Sequence, residues 1–165
     1  MKKFLLALSL FGLLGTAYAD TNAAVPITDK HECAQCKMVV SKYPGPKGEI
    51  VKSNGEALVF CSVKCMTCAI LNRGISDKDA KILGHNVEKI DWEHPSDDQF
   101  IDLTKAWVVV GSKMKAVMGK SVAPFETKEA AQKFADQHGG AVVQWKDIKP
   151  ELLECRPPKP DSKPL

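Results

Sequence analysis

After residue 14 the sequence holds no long apolar segment, so nothing beyond that point predicts a membrane-spanning helix of about 20 apolar residues. It lacks an ordered Ser/His/Asp set, a glycine-rich phosphate loop and an acidic pair in a hydrolytic setting. Those absences argue against hydrolase and nucleotide-binding chemistry and predict neither catalysis nor a small-molecule substrate. Charge of one sign is also missing. Two of the 23 basic residues, Lys2 and Lys3, stand at the N-terminus, and the remainder nearly balance 20 acidic ones. No basic surplus is left to favour nucleic acid.

What is present begins with an export pattern. Lys2 and Lys3 precede an apolar run from Phe4 to Leu14, which Gly15 and Thr16 break. Ala17-Tyr18-Ala19 is an A-x-A cleavage signal, making 1–19 a signal peptide and Asp20 the first mature residue. The run is too short to remain as an anchor. No cysteine stands at the cleavage point, so a lipid anchor lacks its attachment residue. The expected product is soluble and periplasmic.

All six cysteines fall in that product: Cys33, Cys36, Cys61, Cys65, Cys68 and Cys155. An oxidising compartment makes disulfides the plain reading. The spacing is clustered, however, as C-x2-C and then C-x3-C-x2-C, with Cys155 alone. Clusters two and three residues apart are the spacing of metal ligands or of a redox pair.

The chain pattern predicts an α+β fold of two small related lobes, each with short antiparallel strands packed on one helix. The N-terminal lobe, 20–75, opens on a small polar lead-in and carries the Cys/Met motif. Its strands Glu49–Lys52 and Ala57–Phe60 flank an Asn54-Gly55 turn, and Ser62 caps a helix that Gly74 ends. Residues 76–102 read as a connecting segment. In the C-terminal lobe, 103–152, strands at Ala106–Val110 and Ser121–Pro124 lead to a helix capped by Thr127 and ended by Gly139-Gly140. A closing strand follows at Ala141–Trp145. The Pro- and Lys-rich stretch 153–165 reads as a disordered tail.

The sharpest chemistry lies in His31-Glu32-Cys33-Ala34-Gln35-Cys36-Lys37-Met38, with an imidazole, two thiols and a thioether in one short segment. Thiolate and thioether are soft donors, suited to copper(I); Met38 is otherwise the first residue of a core strand. In Phe60-Cys61-Ser62-Val63-Lys64-Cys65-Met66-Thr67-Cys68, a helix start would place Cys61 and Cys65 on one face. Cys65 and Cys68 read equally as ligands or as small buried helix residues. Taken together, Cys33, Cys36, Cys61 and Cys65 fit a structural zinc site, so a second metal such as zinc stays open. A thioredoxin-like role for Cys33 and Cys36 is disfavoured, because a polar lead-in precedes the pair and Pro44-Gly45-Pro46 follows it. His85, His94 and His138 read as solvated or capping residues. Met118, beside Gly119, sits in a loop where it either packs or leans towards a site between the lobes.

Cys36-Lys37-Met38 and Pro44-Gly45-Pro46-Lys47-Gly48 resemble the opening of the NosL family, the accessory proteins of nitrous-oxide reductase. The resemblance continues through Ala106–Ser112, Met118-Gly119, Val122–Phe125, Ala130–Ala135 and Gly139-Gly140, covering roughly residues 28 to 152. It implies a periplasmic copper(I)-binding chaperone of two α+β lobes, active in denitrification, with the reductase and a membrane transporter complex as partners. The family's C-x-M element maps onto Cys36 and Met38, and its Met-Gly onto Met118 and Gly119. Three departures stand out. Many members are lipoproteins. A His often precedes the C-x-M cysteine by two residues, where this chain has Ala34, so Cys33 or His31 would substitute. Cys61, Cys65 and Cys68 are additional to the typical pattern.

Overall fold

The computed structural model describes residues 24–157 and 163–165, so the expected signal peptide and its cleavage site lie outside the described residues. Strands β1 (Gly48–Val51) and β2 (Ala57–Phe60) form an antiparallel hairpin. Asn54 makes the turn by accepting the Glu56 N–H on its side-chain oxygen at 2.9 Å, and Gly55 follows with a positive φ of 85°. From β2 the chain enters α1 (Val63–Arg73) within three residues. Ser62 Oγ accepts the Cys65 N–H at 3.1 Å, and Gly74, at φ 71°, ends the helix.

Residues 76–102 do more than connect. They supply β3 (Lys81–His85) and β4 (Phe100–Asp102), which complete a four-stranded antiparallel sheet in the order β2-β1-β3-β4. Lys81-Ile82-Leu83-Gly84-His85 is short and contains a glycine, so no alternation marks it. Its pairing with β1, Gly84 opposite Gly48, makes it a strand. A Cβ on Gly84 would lie 2.8 Å from Leu103, and one on Gly48 would lie 2.7 Å from Met66. Both glycines therefore let the sheet approach its neighbours closely.

The second sheet has the order β6-β5-β7, from β5 (Trp107–Val110), β6 (Val122–Phe125) and β7 (Ala141–Gln144). Helix α2 (Lys128–His138) is capped by Thr127, whose hydroxyl accepts the Ala130 N–H at 3.2 Å. Alternation along β5 divides the core. Val109 joins Ala123, Phe125, Ala131 and Ala135 under α2, while Val108 and Val110 join Val63, Met66 and Ala69 of α1. The central strand is thus buried on both faces, which explains its continuous apolar run. Trp145 Nε1 donates to Thr67 Oγ1 at 3.0 Å, a polar tie from the second lobe to α1. The architecture is α+β, with two small antiparallel sheets and a few helices.

Both ends of the expected tail are anchored instead of loose. Helix α3 (Pro150–Leu153) buries Leu153 completely, and Cys155 is disulfide-bonded to Cys68 of α1. At 163–165, Leu165 is buried and its N–H reaches the Gly74 carbonyl at 3.1 Å. Three apolar side chains with places in the core outweigh the polar composition around them. The described part of the lead-in is likewise strapped down. The Val25 N–H donates to Glu49 Oε2 and the Ile27 N–H to Asp97 Oδ2, each at 2.8 Å.

His85 also departs from expectation, being fully buried with its ring 4.0 Å from Phe100. Its Nδ1 accepts the Lys47 N–H at 3.2 Å, and burial, aided by the Lys47 charge, lowers its pKa to about 3. Glu49 is fully buried on β1, and burial raises its carboxyl from 4.5 to about 7. The folded protein holds this proton to higher pH than the unfolded chain. Its stabilising contribution is therefore complete below pH 4.5 and is lost as pH rises through 7. Glu49→Gln should gain on the wild type by up to about 3 kcal/mol between about pH 5 and pH 8. Urea unfolding of both proteins checks this, since the contribution of His85 is common to the pair and cancels. A stability difference that stays constant with pH would refute it.

Candidate metal centre

A closed turn carries the first two cysteines. Glu32 and Val39 form an isolated antiparallel bridge. Inside it, the Cys33 N–H reaches the Met38 carbonyl at 2.8 Å and the Lys37 N–H reaches the Cys33 carbonyl at 3.0 Å. Lys37 takes a left-handed conformation, φ 64°, to close the turn. The Ala34 N–H then bonds the Val59 carbonyl at 2.9 Å, fastening the turn to the outer edge of β2. That edge runs directly into Cys61, one residue before the Ser62 cap, and Cys65 follows in the first turn of α1. Cys61 is therefore outside the helix, contrary to the sequence expectation, and the strand end positions it instead.

These elements bring Cys33, Cys36, Cys61 and Cys65 together, with all four sulfurs within 4.8 Å of one another. Two approaches cross between the motifs: Cys33 Sγ to Cys65 Sγ is 3.7 Å and Cys36 Sγ to Cys61 Sγ is 3.5 Å. All four are free thiols. Three are buried, and Cys36 is half-buried. Hydrogen bonding within the group decides which thiol ionises first. The Cys61 and Cys65 thiols donate to Cys33 and hold it well below the usual thiol range. Their bonds to Cys33, together with burial, hold Cys61 and Cys65 above that range.

Cations stand nearby. Lys47 is 2 % exposed, and its ammonium donates to the Tyr43 and Pro44 carbonyls. Burial pulls its pKa down to about 8, while the charge of Cys61 opposes that shift. Lys64 is lowered mainly by burial and is raised by Glu154 and Cys65. Positive charge near thiolates favours the ionised form that metals require.

The donor set fits a soft or borderline metal. A tetrahedral ion with metal–sulfur bonds of about 2.3 Å spaces its sulfurs about 3.8 Å apart. The crossed approaches lie near that value. Copper(I) is served equally well by soft thiolates and accepts fewer of them.

Other contacts hold the remaining expected ligands. His31 is not part of the four-sulfur group. Its Nδ1 accepts the Thr28 N–H at 2.9 Å. Met38 closes the cysteine turn through its carbonyl and has a half-buried side chain. Met118 is 38 % exposed at φ 73°, and its carbonyl accepts Lys64 Nζ at 2.8 Å. That bond ties the Met118-Gly119 loop to α1 beside Cys65. Cys68 and Cys155, which sequence spacing left open, pair with each other. An isolated cysteine in an exported chain was the available signal for that pairing.

The NosL family model matches residues 24–153. The copper-binding lipoprotein NosL of Stutzerimonas stutzeri is 35% identical over 154 residues, spanning 91% of this chain and 80% of that protein. The copper-binding lipoprotein NosL of Achromobacter cycloclastes is 29% identical over 160 residues, spanning 92% and 82%. The crystal structure of the copper chaperone NosL from Shewanella denitrificans matches with a TM-score of 0.72 and 30% identity, over 78% of this chain and 96% of that one. These names describe carriers, not catalysts. They also set two lipoproteins against the expectation of an unanchored product. No helix among the described residues is long and apolar enough to cross a membrane.

Proposed function

Because this chain belongs to the NosL family, we propose that it carries copper(I) on the thiolates of Cys33, Cys36, Cys61 and Cys65 and passes it on by ligand exchange, catalysing no reaction. The observation that carries this reading is the convergence of four free sulfurs within 4.8 Å from a loop, a strand end and a helix start. Soft thiolates hold copper(I) and keep it reduced, and low coordination numbers leave a partner's donors room to compete. The acceptor we infer is nitrous-oxide reductase, reached with a membrane transporter complex. The Cys68–Cys155 disulfide supports a periplasmic location, since such bonds persist in oxidising compartments.

A second reading, a structural zinc module, rests on the near-tetrahedral spacing of the sulfurs. A third, a thiol–disulfide oxidoreductase, is disfavoured because Cys33 and Cys36 lie on a closed turn and not at the start of a helix. Metal analysis of protein purified under nitrogen separates the three. Copper supports the carrier, zinc the module, and a metal-free protein with a readily reduced Cys33–Cys36 disulfide the enzyme.

Met118 tests the extent of the site. Its side chain is partly exposed, so Met118→Leu should leave the thermal midpoint nearly unchanged. If the thioether is a donor, copper(I) affinity in a chelator competition should fall about tenfold. Unchanged affinity would restrict the site to the thiols.

A further inference from the structure

The four thiols are not equivalent in how they are held, and resting on the copper reading above, we propose that Cys36 is the exchangeable ligand. In this arrangement Cys33, Cys61 and Cys65 retain copper, while a partner's thiolate replaces Cys36. Cys33 and Cys61 are 0 % exposed and Cys65 6 %, whereas Cys36 is half-buried. Attachment follows the same division. Cys65 lies in the capped first turn of α1, a helix that the Cys68–Cys155 disulfide fastens to the C-terminal segment. Cys61 continues directly from β2, and Cys33 bonds through both its N–H and its carbonyl across the turn. Cys36 occupies the outer part of that turn, between exposed Gln35 and exposed Lys37.

Copper(I) is satisfied by two or three soft donors, so a fourth thiolate can leave without releasing the ion. An approaching donor meets Cys36 first, because the other three sulfurs are covered. In the exchange, a bond from copper to the partner's sulfur forms as the bond to Cys36 Sγ breaks. The freed Cys36 thiolate takes a proton from water, and copper stays in the +1 state throughout. Charge supports the same order. Four thiolates around copper(I) carry a net charge of −3 in a largely buried site. Releasing the thiolate nearest water relieves that charge where solvation is easiest.

The test is alkylation of copper-loaded protein with iodoacetamide under nitrogen, with sites identified by peptide mass and copper counted after gel filtration. Cys36 should be modified at least about tenfold faster than the other three thiols, and the singly alkylated protein should keep its copper. In zinc-loaded protein, where a four-coordinate ion uses all four sulfurs, the first alkylation should instead release metal. Cys61→Ser should lower copper affinity at least about tenfold more than Cys36→Ser does. Uniform labelling, or loss of copper on the first modification, overturns the proposal. So does equal loss of copper by Cys36→Ser and Cys61→Ser. Wild-type protein that binds no copper at all defeats the carrier reading itself, a result visible before any alkylation begins.

Discussion

Replacing Cys61 and Cys65 together by serine should lower copper(I) affinity by at least about a thousandfold, or about 4 kcal/mol. Removing a group that only orients a ligand typically costs 10- to 100-fold. Here two thiolates of the retaining set would become hydroxyls, which are harder donors and stay protonated at neutral pH. Serine nearly preserves volume at these covered positions, so the fold should survive with a modest loss from two buried hydroxyls. An intact Cys68–Cys155 disulfide and an unchanged far-ultraviolet spectrum would confirm that it has. Competition against a copper(I) chelator, with reduced protein under nitrogen, gives the affinity. Wild-type binding by this variant would move the site to Cys36, Met38 and Met118, the positions to which the family resemblance maps its C-x-M and Met-Gly elements.

The contrast between those two ligand sets shows what the sequence could reveal. Cys33, Cys36, Cys61 and Cys65 were readable as one four-thiol group from spacing, because C-x2-C and C-x3-C each put two sulfurs on a short local structure. Ser62 and Thr127 marked both main helices by their ability to cap, and Gly74 and Gly139 marked both ends. These signals are local, requiring only a few neighbouring residues.

What stayed hidden depends on distant partners. β3 becomes a strand by lying against β1, and no composition rule distinguishes Lys81–His85 from a loop. His85 looked like a surface residue because nothing nearby in sequence announces Phe100 or the Lys47 N–H. Glu49 is similar, since nothing near it in sequence announces the Val25 N–H that its carboxylate accepts. The tail read as disordered because proline and lysine dominate its composition, while Leu153, Cys155 and Leu165 decide its position. In each case a long-range contact overrode a local tendency.

The second large effect concerns that tail. Removing the Cys68–Cys155 bond by the double change to alanine should destabilise the metal-free protein by about 4 kcal/mol. The bond spans a sequence separation of 87, and closing so long a loop removes much of the unfolded chain's freedom. It also holds α3, and with it the buried Leu153, against the helix that carries Cys65. Urea unfolding under nitrogen, with the four remaining thiols kept reduced, measures the loss. A change below about 1 kcal/mol would mean that packing alone holds α3 in place. The single change Cys155→Ala should do more harm to copper binding than the double one does. It leaves Cys68 with a free thiol one helical turn from Cys65, able to form a wrong disulfide or compete for the ion. Air exposure of the single variant should therefore consume thiols of the metal group, with Cys68 appearing in mixed disulfides on peptide mapping. If both variants bind copper equally well after exposure to air, the bond serves only stability. If the single variant alone fails, the disulfide has a second role, keeping a fifth thiol away from a site built for four.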